Sequence, residues 1–239
     1  MICKVADFNV KFNNCSKGFE NFLSNYAITD GDIDFCIDVD HSNLNQTYPF
    51  LDENTSDLNK EIIIFSNKLF SQFPQKNAFV FHASLIEVQN EGIAFIAHSG
   101  TGKSTHTLLW QKLLGDKLQI VNGDKPIIRF DDNGIPYGYG SPWCGKEGFE
   151  KNTKTPIKHI CLIERSKENS CEKISAKDIF NKLLEQLYIP NDPAAAANTF
   201  MLLNKLLNSC DIWSIKCNMD ISAAETAYNS IFKEKIHEA

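Results

Sequence analysis

The stretch AHSGTGKSTH, residues 97–106, decides how the chain is read. It follows the apolar run of residues 93–96 and precedes LLWQKLL (108–114), so two glycines, a lysine and a hydroxyl residue fall where an expected strand gives way to an expected helix. Gly100 and Gly102 allow a tight bend and let backbone N–H groups approach an anion closely. The N-terminus of the following helix adds unpaired donors and the positive end of its dipole. The stretch departs from the pattern GxxxxGK[ST] only at its first position, where Ala97 stands for glycine. On this reading Ser99, Gly100, Thr101, Gly102, Lys103, Ser104 and Thr105 hold the phosphates of a nucleotide. Lys103 places its charge on the β and γ phosphates, and Ser104 offers its hydroxyl to magnesium. ATP and Mg2+ are the cofactors implied. The blander alternative is a Gly-rich strand-to-helix turn with an incidental lysine.

A second protein ligand for magnesium is expected from an aspartate at the end of a later buried strand. Asp124 in QIVNGDKP (119–126) stands there, with Lys125 beside it. An ordinary turn aspartate after a glycine is the competing reading.

The chain has 239 residues, 43% apolar and 23% charged, enough for a sizeable core in one large or two small domains. A net charge of −6 argues against a polyanion as main partner, so nucleic acid is not expected. Asp7 and Lys11 interrupt any apolar core at the start, no run approaches membrane-spanning length, and a cytoplasmic protein is expected. Eight cysteines form no CxxC pair and no zinc spacing, which suits thiols in a reducing compartment.

Outward from the glycine stretch, residues 2–12 and 33–39 alternate as strands, HSNLNQTYPFLDENTSD (41–57) reads as a loop, and a helix is expected over about 57–73. AFVFHASLIEV (78–88) and IAFIAH (93–98), joined by QNEG, predict a hairpin running into the glycine stretch. Thr105, Leu108, Leu109 and Leu113 mark one face of the next helix, which should end near Gly115. QIVNGD and PIIRF read as strands, DDNG as a turn, and GIPYGYGSPWCGKEGFEKN (134–152) as a functional loop or mobile cover. The last third reads strand (159–164), helix (175–188, opened by the Ser175 to Asp178 capping pattern), helix (192–208), strand (211–217) and helix (220–233). The expectation is an α/β protein, with residues 1–76 as an α+β extension packed on a core formed by residues 77–239.

HASLIEV, SGTGKSTH, VNGDKP and YGSPWCGK, in that order, resemble the HPr kinase/phosphorylase-related kinases, and IWSIKCNMDISAAETAYNSI (212–231) resembles their closing strand and helix. The resemblance covers about residues 78–150 by motif. It implies a P-loop kinase domain of the type shared with the nucleotide domain of phosphoenolpyruvate carboxykinase, carrying an N-terminal β-containing extension. It also implies γ-phosphoryl transfer to a Ser or Thr hydroxyl of a small protein or modified peptide. A free amino acid acceptor and a catalytically decayed nucleotide-binding module are the alternatives, and such proteins often form homo-oligomers. The resemblance places His82 close to the catalytic acid, whereas the strand parity it shares with Val80, Ser84 and Ile86 by itself favours a satisfied interior histidine. The family's Asp-Asp pair corresponds here to Gly123-Asp124, so one carboxylate is missing. Within SPWCGKEG, Lys146 is expected to neutralise the transferring charge, Glu147 to substitute as base and Trp143 to pack on substrate. Cys144 is weighed between a reactive thiolate and a small buried loop residue. Arg165 reads either as a phosphate contact or as an ion-pair partner of Glu164 or Glu168.

Overall fold

The computed structural model describes residues 1–39, 52 and 54–233. Most of the expected loop at 41–57 lies outside the described residues. Residues 2–12, expected as alternating β structure, fall in two strands, β1 (Ile2–Val5) and β2 (Phe8–Asn13). The chain reverses at Ala6 and Asp7, both at positive φ (52° and 60°), as a two-residue hairpin turn requires. β3 (Ala27–Ile28) and β4 (Phe35–Asp38) complete a four-stranded sheet in the order β3-β1-β2-β4. Phe8, Val10 and Phe12 alternate inward from β2. Phe12 meets Phe19 of α1 (Lys17–Phe22) at 5.4 Å and Phe65 of α2 (Asp57–Phe70) at 5.5 Å, and Phe19 stacks on Phe65 at 4.3 Å. Both helices start at a serine cap, Ser16 and Ser56, whose hydroxyl accepts a first-turn N–H. α1 went unpredicted because six residues carry too little periodicity to register.

The second sheet has nine strands. β7 (Glu91–Ile96), β11 (Lys154–Arg165) and β13 (Asp211–Cys217) run parallel, β6 (Ser84–Val88) pairs antiparallel with β7, and β8 (Leu118–Asn122) pairs antiparallel with β6 and so runs in the direction of β7. β6 and β7 form the expected hairpin, turning at Gln89 and Asn90 with φ of 53° and 62°. Helices cover both faces. Trp110 of α3 (Lys103–Leu114) and Tyr228 of α6 (Ile221–Phe232) pack with Phe95, Ile163 and Ile215 on one side. Leu183 of α4 (Ala176–Leu184) and Leu206 of α5 (Pro193–Leu207) pack with Ile96, Ile160 and Ile212 on the other. Strands buried on both faces account for the unbroken apolar runs of β7 and β11. No helix among the described residues is long and apolar enough to cross a membrane.

Four expectations change. The run 78–88 is not one strand: β5 (Ala78–Val80) pairs with β9 (Ile127–Phe130), β6 pairs with β7 and β8, and residues 81–83 form the break. Within the expected loop 134–152, Pro136–Tyr139 is a strand, β10, between β9 and β11. Its glycine is required by packing, since a Cβ at Gly138 would overlap the Leu85 side chain and lie 3.1 Å from Ile157. On α3 the buried residues are His106, Thr107 and Trp110, while Leu108 is exposed. α4 also stops earlier than expected, because residues 186–188 run extended beside 80–82. The capping box of Ser175 and Asp178 is formed. A short strand, β12 (Ser170–Lys173), pairs with β13.

His106 is buried, and its Nε2 accepts the indole N–H of Trp110 at 3.0 Å, which fixes it as neutral. Burial pushes its pKa down to about 4. An unfolded histidine, ordinarily near 6.5, binds its proton first, so stability falls as pH drops from about 6.5 toward 4, by about 3 kcal/mol in all. Urea midpoints measured across that range should fall, and His106→Asn should flatten the fall. An equal slope in both proteins contradicts the assignment.

Candidate functional site

The glycine stretch is the turn from β7 into α3. Ala97 is buried, Thr101 donates its N–H to the His98 carbonyl at 3.1 Å, and Gly100 and Gly102 take φ of 76° and 126°. A side chain at either position would be strained by that backbone. Gly102 is the N-cap of α3 and has no side chain to cap it. The first-turn N–H groups, those of Lys103, Ser104 and Thr105 included, therefore lack intrahelical acceptors. Arg165, the last residue of β11, donates from Nε to the Thr101 carbonyl at 2.9 Å and from Nη2 to the Gly100 carbonyl at 2.6 Å. Neither sequence reading of Arg165 anticipated this; Glu164 pairs instead with Lys182 at 2.6 Å.

Asp124 follows β8, in a turn built by the buried side chain of Asn122. The Asn122 Oδ1 accepts the N–H groups of Asp124 and Lys125 at 2.9 and 2.8 Å, and its amide donates to Ser141 at 2.9 Å. Sequence reasoning missed Asn122, although an asparagine two residues ahead of a turn aspartate is an Asx-turn signal. Gly123 donates to the Phe149 carbonyl, and a Cβ there would lie 2.8 Å from the Cys144 carbonyl oxygen and 3.2 Å from the Phe149 Cβ. The residues 144–149 that close over this turn leave no room for a second carboxylate at position 123.

The Asp124 carboxylate meets His82 Nε2 at 3.1 Å through Oδ1 and Lys125 Nζ at 2.6 Å through Oδ2. Lys103 Nζ lies 3.0 Å from the same His82 nitrogen. His82 sits in the break between β5 and β6, so a lysine from the glycine loop, a histidine from the strand break and an aspartate from the β8 turn converge. Burial pushes the Asp124 carboxyl up, but hydrogen bonds from His82 and Lys125 outweigh it and hold the pKa well below the usual carboxylate range. Lys103 is lowered, by burial first and by the Lys125 charge, with Asp124 acting against both. A charged Lys103 only donates and an ionised Asp124 only accepts, so His82 Nε2 serves one of them at a time.

The SPWCGKEG segment supplies no side-chain hydrogen bond to Lys103, His82 or Asp124 among the described residues. The Trp143 ring is buried against Phe70 at 4.7 Å and Phe22 at 6.3 Å, which removes it from any substrate surface. Burial, followed by the charge of Glu150, raises the Cys144 thiol, so Cys144 is not an activated thiolate. Lys146 and Glu147 are exposed, and neither makes an ion pair or side-chain hydrogen bond to Asp124, His82 or Lys103. Gly145 does pack against Asp124, its Cβ position lying 3.1 Å from the Asp124 Cβ.

Cavities of about 540 and 480 Å3 both touch Gly100, Thr101 and Arg165; the first reaches Glu164, Lys182 and Glu185, the second Leu109, Cys217 and Met219. A third, of about 230 Å3, is lined by His82 and Lys125 together with Phe70, Gln186, Leu187 and Tyr188. No cluster of three or more His, Cys, Asp or Glu side chains suited to a metal ion occurs among the described residues.

No family model matches the chain, and no curated protein matches it. Among solved structures the chain is distantly similar to the HPr(Ser) kinase/phosphatase from Coxiella burnetii, with 12% identity and a TM-score of 0.29 over 52% of this chain and 86% of that one. A likeness of that size carries no argument about the site, whose interpretation rests on its own geometry.

Gly123→Asp should destabilise the protein by about 1–3 kcal/mol, because the new Cβ displaces residues 144–149. Urea unfolding checks this, and an unchanged midpoint contradicts the packing argument.

Proposed function

We propose that the protein transfers the γ-phosphoryl group of ATP to a hydroxyl, with the β7–α3 turn as the phosphate-binding loop. The reading is carried by the convergence of Lys103, His82 and Asp124 beside a helix N-terminus that no side chain caps. Unpaired N–H groups and a partly buried lysine make a site for a polyanion, and an anion arriving at Lys103 relieves its desolvation. His82 is then left to donate to Asp124, orienting the carboxylate toward an acceptor hydroxyl. With its pKa depressed, Asp124 is a weak base, which suits phosphoryl transfer: the transition state is loose and depends more on positioning and charge than on early proton removal.

Magnesium fits the donor set. Asp124 keeps free lone pairs beyond its contacts with His82 and Lys125, and Ser104 offers a hydroxyl. One carboxylate with few protein ligands is how Mg2+ is bound beside substrate phosphates. When bound, the ion supplies charge neutralisation of the phosphates. Lys125 holds one carboxylate oxygen of Asp124 in place, and the exposed Lys146 is proposed to reach inward only when substrate is bound.

The acceptor is proposed to enter the 230 Å3 cavity shared by His82 and Lys125, which has room for a single hydroxyl-bearing residue. A small protein, a peptide and a free amino acid can each present one.

With labelled ATP and Mg2+, a mixture of hydroxyl acceptors should yield labelled product. Lys103→Ala should lose nucleotide binding and transfer together. Asp124→Asn should keep nucleotide binding and lose at least about 100-fold in transfer. Wild-type turnover in either variant overturns the assignment, and nucleotide binding without transfer to any acceptor favours a decayed regulatory module.

A further inference from the structure

We infer that Arg165 is a positioning residue that holds the β7–α3 loop in its anion-binding form from behind, without touching the anion. The inference rests on the nucleotide-binding reading above and adds a residue to it.

The placement of Arg165 follows from strand lengths. β7 and β11 are parallel, with Ile96 in register with Leu162. β7 ends there, while β11 continues for three more residues, so its last side chain arrives alongside the loop that β7 feeds. Cys161 and Ile163 face the layer that holds Trp110 of α3, and Arg165 has the same strand parity. The guanidinium is thereby delivered on the side of the sheet where α3 begins.

Its contacts are two backbone carbonyls, Gly100 at 2.6 Å and Thr101 at 2.9 Å, and no carboxylate pairs with it among the described residues. A planar fork engaging two adjacent carbonyls fixes two successive peptide planes, which a lysine cannot do. Neither peptide is cis, so in each plane the N–H points opposite to the carbonyl. Holding the Thr101 carbonyl toward β11 turns the Gly102 N–H away from Arg165. Holding the Gly100 carbonyl likewise turns the Thr101 N–H back into the loop, where it donates to His98 at 3.1 Å. Both glycines have positive φ, and a Cβ at Gly100 would meet nothing within 4 Å. Besides Arg165, the hydrogen bond from Thr101 to His98 is the restraint on how these two peptides face. Arg165 therefore selects the face that an anion can use, and the anion binds on the side opposite its guanidinium.

The test is calorimetric titration of Mg-ADP and Mg-ATP into the wild type, Arg165→Lys and Arg165→Gln, with melting temperatures as folding controls. Amide hydrogen exchange of residues 99–103 is measured on the same proteins without nucleotide. The inference predicts that both variants bind ADP and ATP at least about tenfold more weakly, by the same factor for each nucleotide, and exchange faster at 99–103. Where a variant melts early, the exchange measurement below its melting temperature still decides. Rescue by lysine would show that charge alone suffices, and a larger loss for ATP than for ADP would show direct contact with the terminal phosphate. Either result overturns the inference, as do unchanged affinity and exchange. If the wild type itself binds neither nucleotide, the nucleotide reading fails and this inference with it; a wild type that binds while the variants bind equally well defeats this inference alone.

Discussion

Three consecutive backbone N–H groups hold the site together. Phe81 donates to Pro126, His82 to Gln186 at 2.7 Å, and Ala83 to Asp124 at 2.9 Å. The bonds alternate between two neighbours, the segment 124–126 on one side and residues 186–188 on the other, so the break is tied down along both edges. The constraint has a simple origin. β5 belongs to the antiparallel group with β9 and β10, β6 belongs to the group around β7, and the chain must step between them at 81–83. That step brings His82 to Asp124 and draws residues 186–188 alongside, which ends α4.

Charge is distributed to match. The chain as a whole carries −6, yet Lys103, Lys125 and Arg165 gather around one loop and one turn, and Asp124 lies against Lys125 and His82. Positive groups concentrated in a recess of an acidic protein focus the potential on an incoming anion. Against its burial, Asp124 is stabilised as an anion by His82 and Lys125, so it stays ionised at neutral pH and its lost proton is not available to the chemistry.

Much of this was legible in the sequence where local chemistry is self-sufficient. The QNEG hairpin, the glycine turn into α3, the stop at Gly115 and the Ser175 cap each depend on residues within a few positions of one another. What stayed hidden depends on distant partners. β10 is masked by proline and glycine because Gly138 answers to Leu85 and Ile157, not to its own neighbours in sequence. The Ala6-Asp7 turn has none of the usual Gly or Asn at its two positive-φ positions. Trp143 reads as an exposed binding residue until Phe70 and Phe22 are seen to enclose it. At the candidate site, Lys103, His82 and Asp124 were readable from motif order, while Asn122 and the grip of Arg165 on the loop carbonyls needed three dimensions.

The glycine loop and the Asp124 turn meet through His82, whose Nε2 lies 3.0 Å from Lys103 and 3.1 Å from Asp124. The most direct measurement is the imidazole NMR signal of His82 as Mg-ADP or a non-hydrolysable ATP analogue is added. Lys103 drawn toward phosphate must release His82 Nε2 to Asp124, so a saturable shift of His82 is expected. His159, bonded to Glu91 at 2.9 Å at the start of β7, should stay unchanged. Nucleotide that binds and leaves the His82 signal where it was would contradict the account.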